Sequence, residues 1–444
     1  MERADHDAPA TTLGRRSLLA RGLLGAAVIL DASPSRVGGA PAPFRAARSA
    51  SPPRPREDEK PPEPTPPPLR IADRSAKAPT SPVAIERATS FDVAALAQLL
   101  ERSFDRLGGV RALVSGKTVT VKLNITGDGR QRLAGKPAAQ SYQVHPNLIE
   151  ALSGLLDRHG ARRSVLVESY YREKDPREIV AAHGWDVAKI ESAGGQKVSW
   201  EDTRNRGAFD DYAKVDVPWG GYIFPSYHLN RRYADTDVMV SVAKVKNHIT
   251  AGVTGAVKNL FGIAPTALYG NDAPNERTIA NRGDVLHHGS RRVPPGVTGE
   301  HDPDRPRLPD KTRESYHRVP MVTADLFGVR PVDLAIVEGI ETCRGGEGPW
   351  CPGVRPIAPG LVLAGRNAVT VDSIMTAVMG YDPTASTGQD VWYGYNHLEL
   401  LARAGVATND PARIEVLGVP LRDALHEFFP GRNGWVKKHL GERG

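Results

Sequence analysis

Between Asp237 and Ile263 the chain reads DVMVSVAKVKNHITAGVTGAVKNLFGI, a stretch dense in side chains able to do chemistry. Lys244, Lys246 and His248 come at alternate positions just after Val238 to Val242, an apolar, β-branched run that reads as a buried strand. A Gly/Thr-rich turn follows. A helix is then expected from about Val253 to Leu260, closed by Gly262 and carrying Lys258 and Asn259. In open parallel sheets, ligands bind beyond the carboxyl ends of the strands. A helix start placed there offers free N–H groups to anions. Three lysines, an imidazole and a helix start within one short stretch therefore point to an anion site.

Other predicted strands end in the same manner. Lys122 and Asn124 lie at the end of Thr118–Leu123, Glu168 follows Ser164–Val167, and Glu338 and Glu341 follow Val332–Val337. Lysine and glutamate are almost never fully buried without a partner. If these ends converge, they make a cleft holding both signs of charge. A lysine that is desolvated or pressed against another cation loses basicity and acts as a base or a Schiff-base amine. A lysine left protonated clamps a carboxylate or phosphate instead. The plain alternative is that each strand simply emerges into water.

The elements that must position these groups alternate between strand and helix. An amphipathic helix, FDVAALAQLLERSFDRLGG, precedes the Thr118 strand, and His145–Pro146 opens another, PNLIEALSGLLDRHG. A short helix, DPREIVAAHG, follows the Ser164 strand, and residues 196–230 read as irregular β structure. Residues 271–312 form a polar insertion without periodicity, either a surface loop or a cover near the site. Helices are expected near Ser315–Gly328 with His317, over Ala368–Gly380 with Asp372, and near Leu398–Ala404. Strands are expected at Leu361–Ala364 and Arg413–Leu417. This alternation predicts a single globular α/β domain, about 83–444, with a mainly parallel sheet and helices on both faces.

Residues 1–82 have a different character. They hold 15 of the 37 prolines and carry 13 basic against 9 acidic groups, which leaves 45 against 42 in the remainder. The globular part is thus near charge balance and lacks the clustered basic face of a nucleic-acid binder. Arg15–Arg16, then Ser17, Leu18 and Leu19, fit a twin-arginine export signal. The apolar segment that follows, Leu18 to Leu30, is too short to span a bilayer. A signal region 1–40, export to the periplasm or beyond through the twin-arginine translocation machinery, and no stable membrane span after processing are expected. Residues 41–82, including PPEPTPPP, read as a disordered Pro-rich linker.

The central stretch, as VSVAKVKNHITAGVTGAVKNLFG, resembles the core signature of the DUF362 family. LAIVEGIETCRGGEGPWCPG with LVLAGRNAVTVDSIMTAVMGYDP is similar to a second family segment, and VTVKLNI with VHPNLIEALSGLL to a weaker third. The likeness covers about Lys117 to Pro383. The family's function is not established, so the resemblance implies a set of matching positions more than a chemistry: Lys122, Asn124, Lys244, Lys246, His248, Lys258 and Asn259. Asn247–His248 stands where the family usually has Thr-His, and Glu338 where it usually has Asp. Asp372 resembles the Asp of the family's "pvAvDavaa", as a buried structural acid, a helix partner or a site group. The ferredoxin-like segment of many relatives is not seen here.

No HExxH or CxxC spacing supports a metal, although His145, His248, His317 and the carboxylates are of ligating type. RGGEGPWCPG matches neither GxGxxG nor a P-loop. Cys343 and Cys351 flank this glycine loop, and in an oxidising compartment a disulfide between them is expected. The sequence therefore predicts an exported enzyme on a small anionic substrate, with no cofactor named. Lys246, His248, Lys258 and Glu338 are the expected catalytic groups, and Lys122, Asn124, Lys244 and Asn259 the binding groups. The alternative is a non-catalytic exported protein that captures an anion or metal.

Overall fold

The computed structural model describes residues 69 and 71–429, apart from 171–174, 272–274, 290–295, 298, 302–304, 306 and 309. The expected signal region and most of the Pro-rich linker lie outside the described residues. The strands are β1 Val83–Arg87, β2 Thr118–Lys122, β3 Arg163–Glu168, β4 Val198–Asp202, β5 Tyr212–Asp216, β6 Ser226–Asn230, β7 Val238–His248, β8 Gly252–Thr254, β9 Leu334–Arg344, β10 Arg355–Ile357, β11 Leu361–Gly365 and β12 Val416–Gly418. The main sheet runs β12-β1-β11-β9-β7-β2-β3-β4, with β8 paired to β7 and β10 to β9, while β5 and β6 form a separate hairpin. Along the main path only β11 is antiparallel to its neighbours. The sheet is mixed and largely parallel, as expected.

Parallel strands covered on both faces read as continuous apolar runs, and their alternate side chains feed two cores. On one face Val121, Leu166, Val240 and Ile336 pack with helices Val93–Arg106, Pro146–Arg158 and Val187–Ala193. On the other, Val167, Ala243 and Val337 pack with helices Lys311–Val329, Ala368–Val378 and His397–Arg403. Helix Pro146–Arg158 begins where its sequence says it should, because His145 Nδ1 accepts the Asn147 N–H at 3.2 Å and Pro146 needs no partner.

Three expectations about elements need correction. β7 and β9 run on for eleven residues each, well past Val242 and Val337. Their continuation is held by cross-strand pairing, Lys244 opposite Glu338, with an irregularity before Lys246 pairs with Cys343. The helix expected over Val253–Leu260 is not formed. Gly252, at φ +74°, reverses the chain so that β8 pairs back on Lys246–His248, and the helical part shrinks to a 3₁₀ turn, Lys258–Ile263. The compact region also begins before Val83. Arg74 N–H donates to the Arg403 carbonyl, Thr408 N–H donates to the Pro79 carbonyl, and Ala78 is buried.

Candidate functional site: a lysine cluster at the end of β7

Lys244 projects from one face of β7, and the irregularity between it and Lys246 interrupts the alternation before Lys246 and His248. Lys122, paired with Ser241, belongs to the opposite face. The charged strand ends therefore do not form one cluster but three.

The first set is a closed network on the Lys122 face. Lys122 Nζ donates to Glu168 Oε1, and Glu168 Oε2 accepts the Ile125 N–H at 2.8 Å. Asn259 accepts from Asn124 Nδ2 at 3.1 Å and donates to Ser241 Oγ at 3.0 Å. Burial lowers the Lys122 pKa against the opposing pull of Glu168. Each of these groups is satisfied by another, and together they fasten the 3₁₀ turn to β2 and β7. The second set lies on the other face. Lys244 Nζ and Glu338 Oε2 are 2.5 Å apart and both side chains are fully buried. Lys244 also donates to the Ala139 carbonyl at 2.9 Å, and Glu338 accepts the Ile340 N–H at 3.0 Å. Burial pushes Lys244 down and Glu338 up, while each partner's charge opposes the shift. Glu338, expected as an acid or base, is occupied by Lys244 and sealed from solvent.

The third set lies at the strand end and is unlike the others. Among the described residues Lys246 Nζ donates only to the Tyr142 carbonyl, at 2.5 Å. Lys258 makes no ion pair or hydrogen bond among the described residues, and its ammonium lies 4.2 Å from the centre of the Phe261 ring. Both lysines are almost wholly buried. Desolvation draws Lys246 down to about 8, with Lys244 adding to the fall and Cys343 and Glu347 opposing it. Desolvation likewise draws Lys258 down to about 7, opposed by Glu347 and assisted by the charges of Lys246, Arg282 and Lys122. His248 is held neutral, first by burial and then by Lys258. Its Nδ1 accepts the N–H groups of Thr250 and Ala251 at 3.2 and 3.3 Å, which leaves the ring proton on Nε2. His248, Ile249, Thr250 and Glu347 are partly exposed and mark the approach to this set.

The turn that carries Lys258 is fixed from behind. Asp372 accepts the N–H groups of Ala256 and Val257, each at 2.8 Å, and Ser241 Oγ donates to the Ala256 carbonyl at 3.0 Å. Burial raises the Asp372 carboxyl to about 7, against the pull of those two N–H groups. A Cβ on Gly255 would stand 2.4 Å from the carboxylate, so only glycine fits there. Asp372 is thus a buried acid that organises the loop under Lys258.

Several neighbours carry no signal in the sequence. Arg282 and His287 come from the polar insertion, in which Arg282, Val285 and Leu286 are buried while residues such as Glu276 and Asn281 are exposed. Arg282 donates to Ser169 Oγ at 2.7 Å and to the Ala264 carbonyl at 2.6 Å, and His287 meets the Phe261 ring edge-on at 5.3 Å. His397, against Trp392, is drawn down to about 3 by burial and then by Lys258. Glu347 accepts the Ile249 N–H at 3.0 Å and the Trp350 indole N–H at 3.3 Å. Of the other histidines, His145 caps a helix while stacked on Phe91, and His317 is buried against Tyr395. Among the described residues, no three His, Cys, Asp or Glu side chains come together as a metal site.

Cys343 and Cys351 are both buried free thiols, so the expected disulfide is not formed. Cys343 Sγ instead donates weakly to the Gly346 carbonyl at 3.5 Å, and burial raises both thiols, to about 11 and about 12. The glycine loop is held by Asn247, whose Oδ1 accepts the Gly345 N–H at 2.9 Å. A separate surface cleft of about 640 Å³, between β1 and β12, is lined by Glu86, Arg87, Arg106 and Asp423. Within it Glu86 is paired with Arg106 at 2.9 Å, and none of the lysines lines it.

The chain belongs to the DUF362 family, a domain of unknown function, whose model matches residues 119–377. Among individual proteins it is similar to a thylakoid-associated protein of Synechocystis, at 21% identity over 310 residues covering 68% of this chain and 75% of the relative. Two solved structures also match. One is a protein from Thermotoga maritima, at 14% identity, TM-score 0.30, covering 61% of this chain and 55% of that one. The other is the lactate racemase apoprotein from Thermoanaerobacterium thermosaccharolyticum, at 13% identity, TM-score 0.31, covering 64% and 55%. The chain thus spans just over half the length of these two.

Proposed function

We propose that this protein is an exported enzyme acting on a small anionic substrate at the end of β7. The observation that carries the reading is the presence of two buried lysines, Lys246 and Lys258, neither of which forms an ion pair with a carboxylate among the described residues. Buried cations are almost always paired. Here the partner is an anion that comes and goes. Lys246 is the anion anchor, and Lys258, poised near neutrality, is the group able to exchange a proton or attack. His248 presents a neutral Nε2–H at the mouth. Lys122, Asn124 and Asn259 act by holding the turn in place. Lys244 and Glu338 act by locking β7 to β9. A site built only for capture needs its lysines charged throughout the neutral range, and a lysine drawn down to about 7 favours catalysis over capture.

The test uses two probe anions, oxalate and inorganic phosphate, against chloride at equal ionic strength. One or both are expected to raise the melting temperature of the full chain, and to show saturable binding by calorimetry. Lys246→Ala should weaken that binding by at least about tenfold, the loss of one charge-assisted hydrogen bond, while the folded circular dichroism spectrum is retained. Equal stabilisation by chloride, or unchanged binding in Lys246→Ala, would remove the anion site.

A further inference from the structure

We propose that the substrate is a 2-oxo acid, and that Lys258 holds it as an imine while Lys246 holds its carboxylate. This rests on the anion-site reading above and gives that anion a second functional group. Four features of the geometry lead to it.

First, Lys258 is an amine with nothing bonded to its nitrogen among the described residues, so no partner has to be displaced before it attacks. Second, its backbone is immobilised. Asp372 clamps the two residues before it, Ser241 fastens Ala256, and Asn259, directly after it, is bonded to β2 and β7. A flexible ammonium serving only as a counter-ion has no need of such a base, whereas a nucleophile must be aimed. Third, the Lys258 nitrogen rests 4.2 Å from the centre of the Phe261 ring, a contact that fixes its place above an apolar surface. Fourth, the charges around it divide by role. Lys246 supplies a cation for a carboxylate, and the charge of Glu347 acts on both lysines. Glu347 is held by Ile249 and Trp350 at the partly exposed mouth, where it is placed to carry protons to and from solvent.

The step balances without a further reactant. The uncharged Lys258 amine attacks the ketone carbon, a C–N bond forms, and the carbonyl π electrons move to oxygen, which takes a proton. The carbinolamine then loses that oxygen as water, with the second amine hydrogen accounting for its other proton, and the C=N bond closes. Protonation of the imine gives an iminium next to the carboxylate held by Lys246, an electron sink for bonds at the neighbouring carbon. A lysine drawn down to about 7 holds on the order of a thousandfold more free amine at neutral pH than a surface lysine, which supports the assignment.

Reductive trapping tests this on the full chain. The protein is incubated with pyruvate and cyanoborohydride, and the modified lysines are located by peptide mass spectrometry. The expected result is one dominant adduct, on the peptide containing Lys258, at least about tenfold above any surface lysine. It should saturate with pyruvate, be suppressed by oxalate, and be absent from Lys258→Arg. Suppression by oxalate is read on the unaltered protein, so it stands even if the variant does not fold. Adducts spread evenly over surface lysines, or none at all, while oxalate still stabilises the protein, would overturn the imine and leave the anion site in place. No adduct together with no stabilisation by oxalate would overturn both.

Discussion

At the scale of single residues, the molecule separates lysines that are neutralised from lysines that are not. Lys122 and Lys244 each face a glutamate on a neighbouring strand, whereas Lys258 faces an aromatic ring and other cations. That difference has a thermodynamic signature. In the unfolded chain Lys258 returns to an ordinary lysine, near 10.5, while in the folded protein it sits near 7. Between those values the unfolded state binds the proton more fully, so this residue makes stability rise with pH across that window. Below about 7 both states are charged and the full penalty of the buried ammonium applies. Lys258→Met should therefore be more stable than the parent at pH 6 by a few kcal/mol, because each tenfold loss of proton affinity on folding corresponds to roughly 1.4 kcal/mol. The advantage should shrink steadily toward pH 10. Urea unfolding of both proteins at several pH values checks this, and a pH-independent difference would show that the ammonium carries no desolvation penalty.

At the scale of elements, β7 and β9 are the two long strands on which the site depends, and their far halves are joined through charge. Lys244 and Glu338 are directly opposite in the register and wholly buried. Removing one partner of such a pair leaves an uncompensated charge, while replacing both with apolar groups is often tolerated. Glu338→Gln should cost about 3–5 kcal/mol in urea unfolding, and Lys244→Met/Glu338→Leu should recover most of that loss. A single variant within about 1 kcal/mol of the parent would mean that other bonds hold the strands together. The same pair explains what could and could not be read from the amino-acid order. Apolar runs at Val238–Val242 and Val332–Val337 announce buried strands by themselves. They do not announce that the strands continue through charged residues, because that depends on a partner almost a hundred positions away. The helix expected over Val253–Leu260 failed for a related reason. Its apolar spacing fits a helix, but Gly252 turns the chain back, and β8 gains ladder bonds to Lys246 and His248. Arg282 and His287 lay beyond reach altogether, since their stretch has no period and their place is set by Phe261, Ala264 and Ser169.

At the scale of the whole molecule, the lysine set is a product of complete folding. Lys246 comes from β7, Lys258 from the turn after β8, Glu347 from the loop after β9, and Arg282 and His287 from the insertion between them. The clamp beneath Lys258 comes from Asp372, more than a hundred residues along the chain. A partly folded chain would expose each buried charge alone and lack the burial that lowers the basicity of Lys258. Transport as an unfolded thread would require all of this to be rebuilt outside the cell. The twin-arginine route moves proteins already folded, and we propose that Arg15–Arg16, followed by Ser17, Leu18 and Leu19, directs this chain to it. Replacing both arginines, Arg15→Lys and Arg16→Lys, preserves charge while removing the paired guanidinium groups. In a host with that pathway, the parent chain should accumulate outside the cytoplasm as a shortened form. The double variant should stay inside at full length, folded and still able to bind oxalate. Export of the double variant at the parent's rate would show that these two arginines do not direct transport, and that the site is completed by some other order of events.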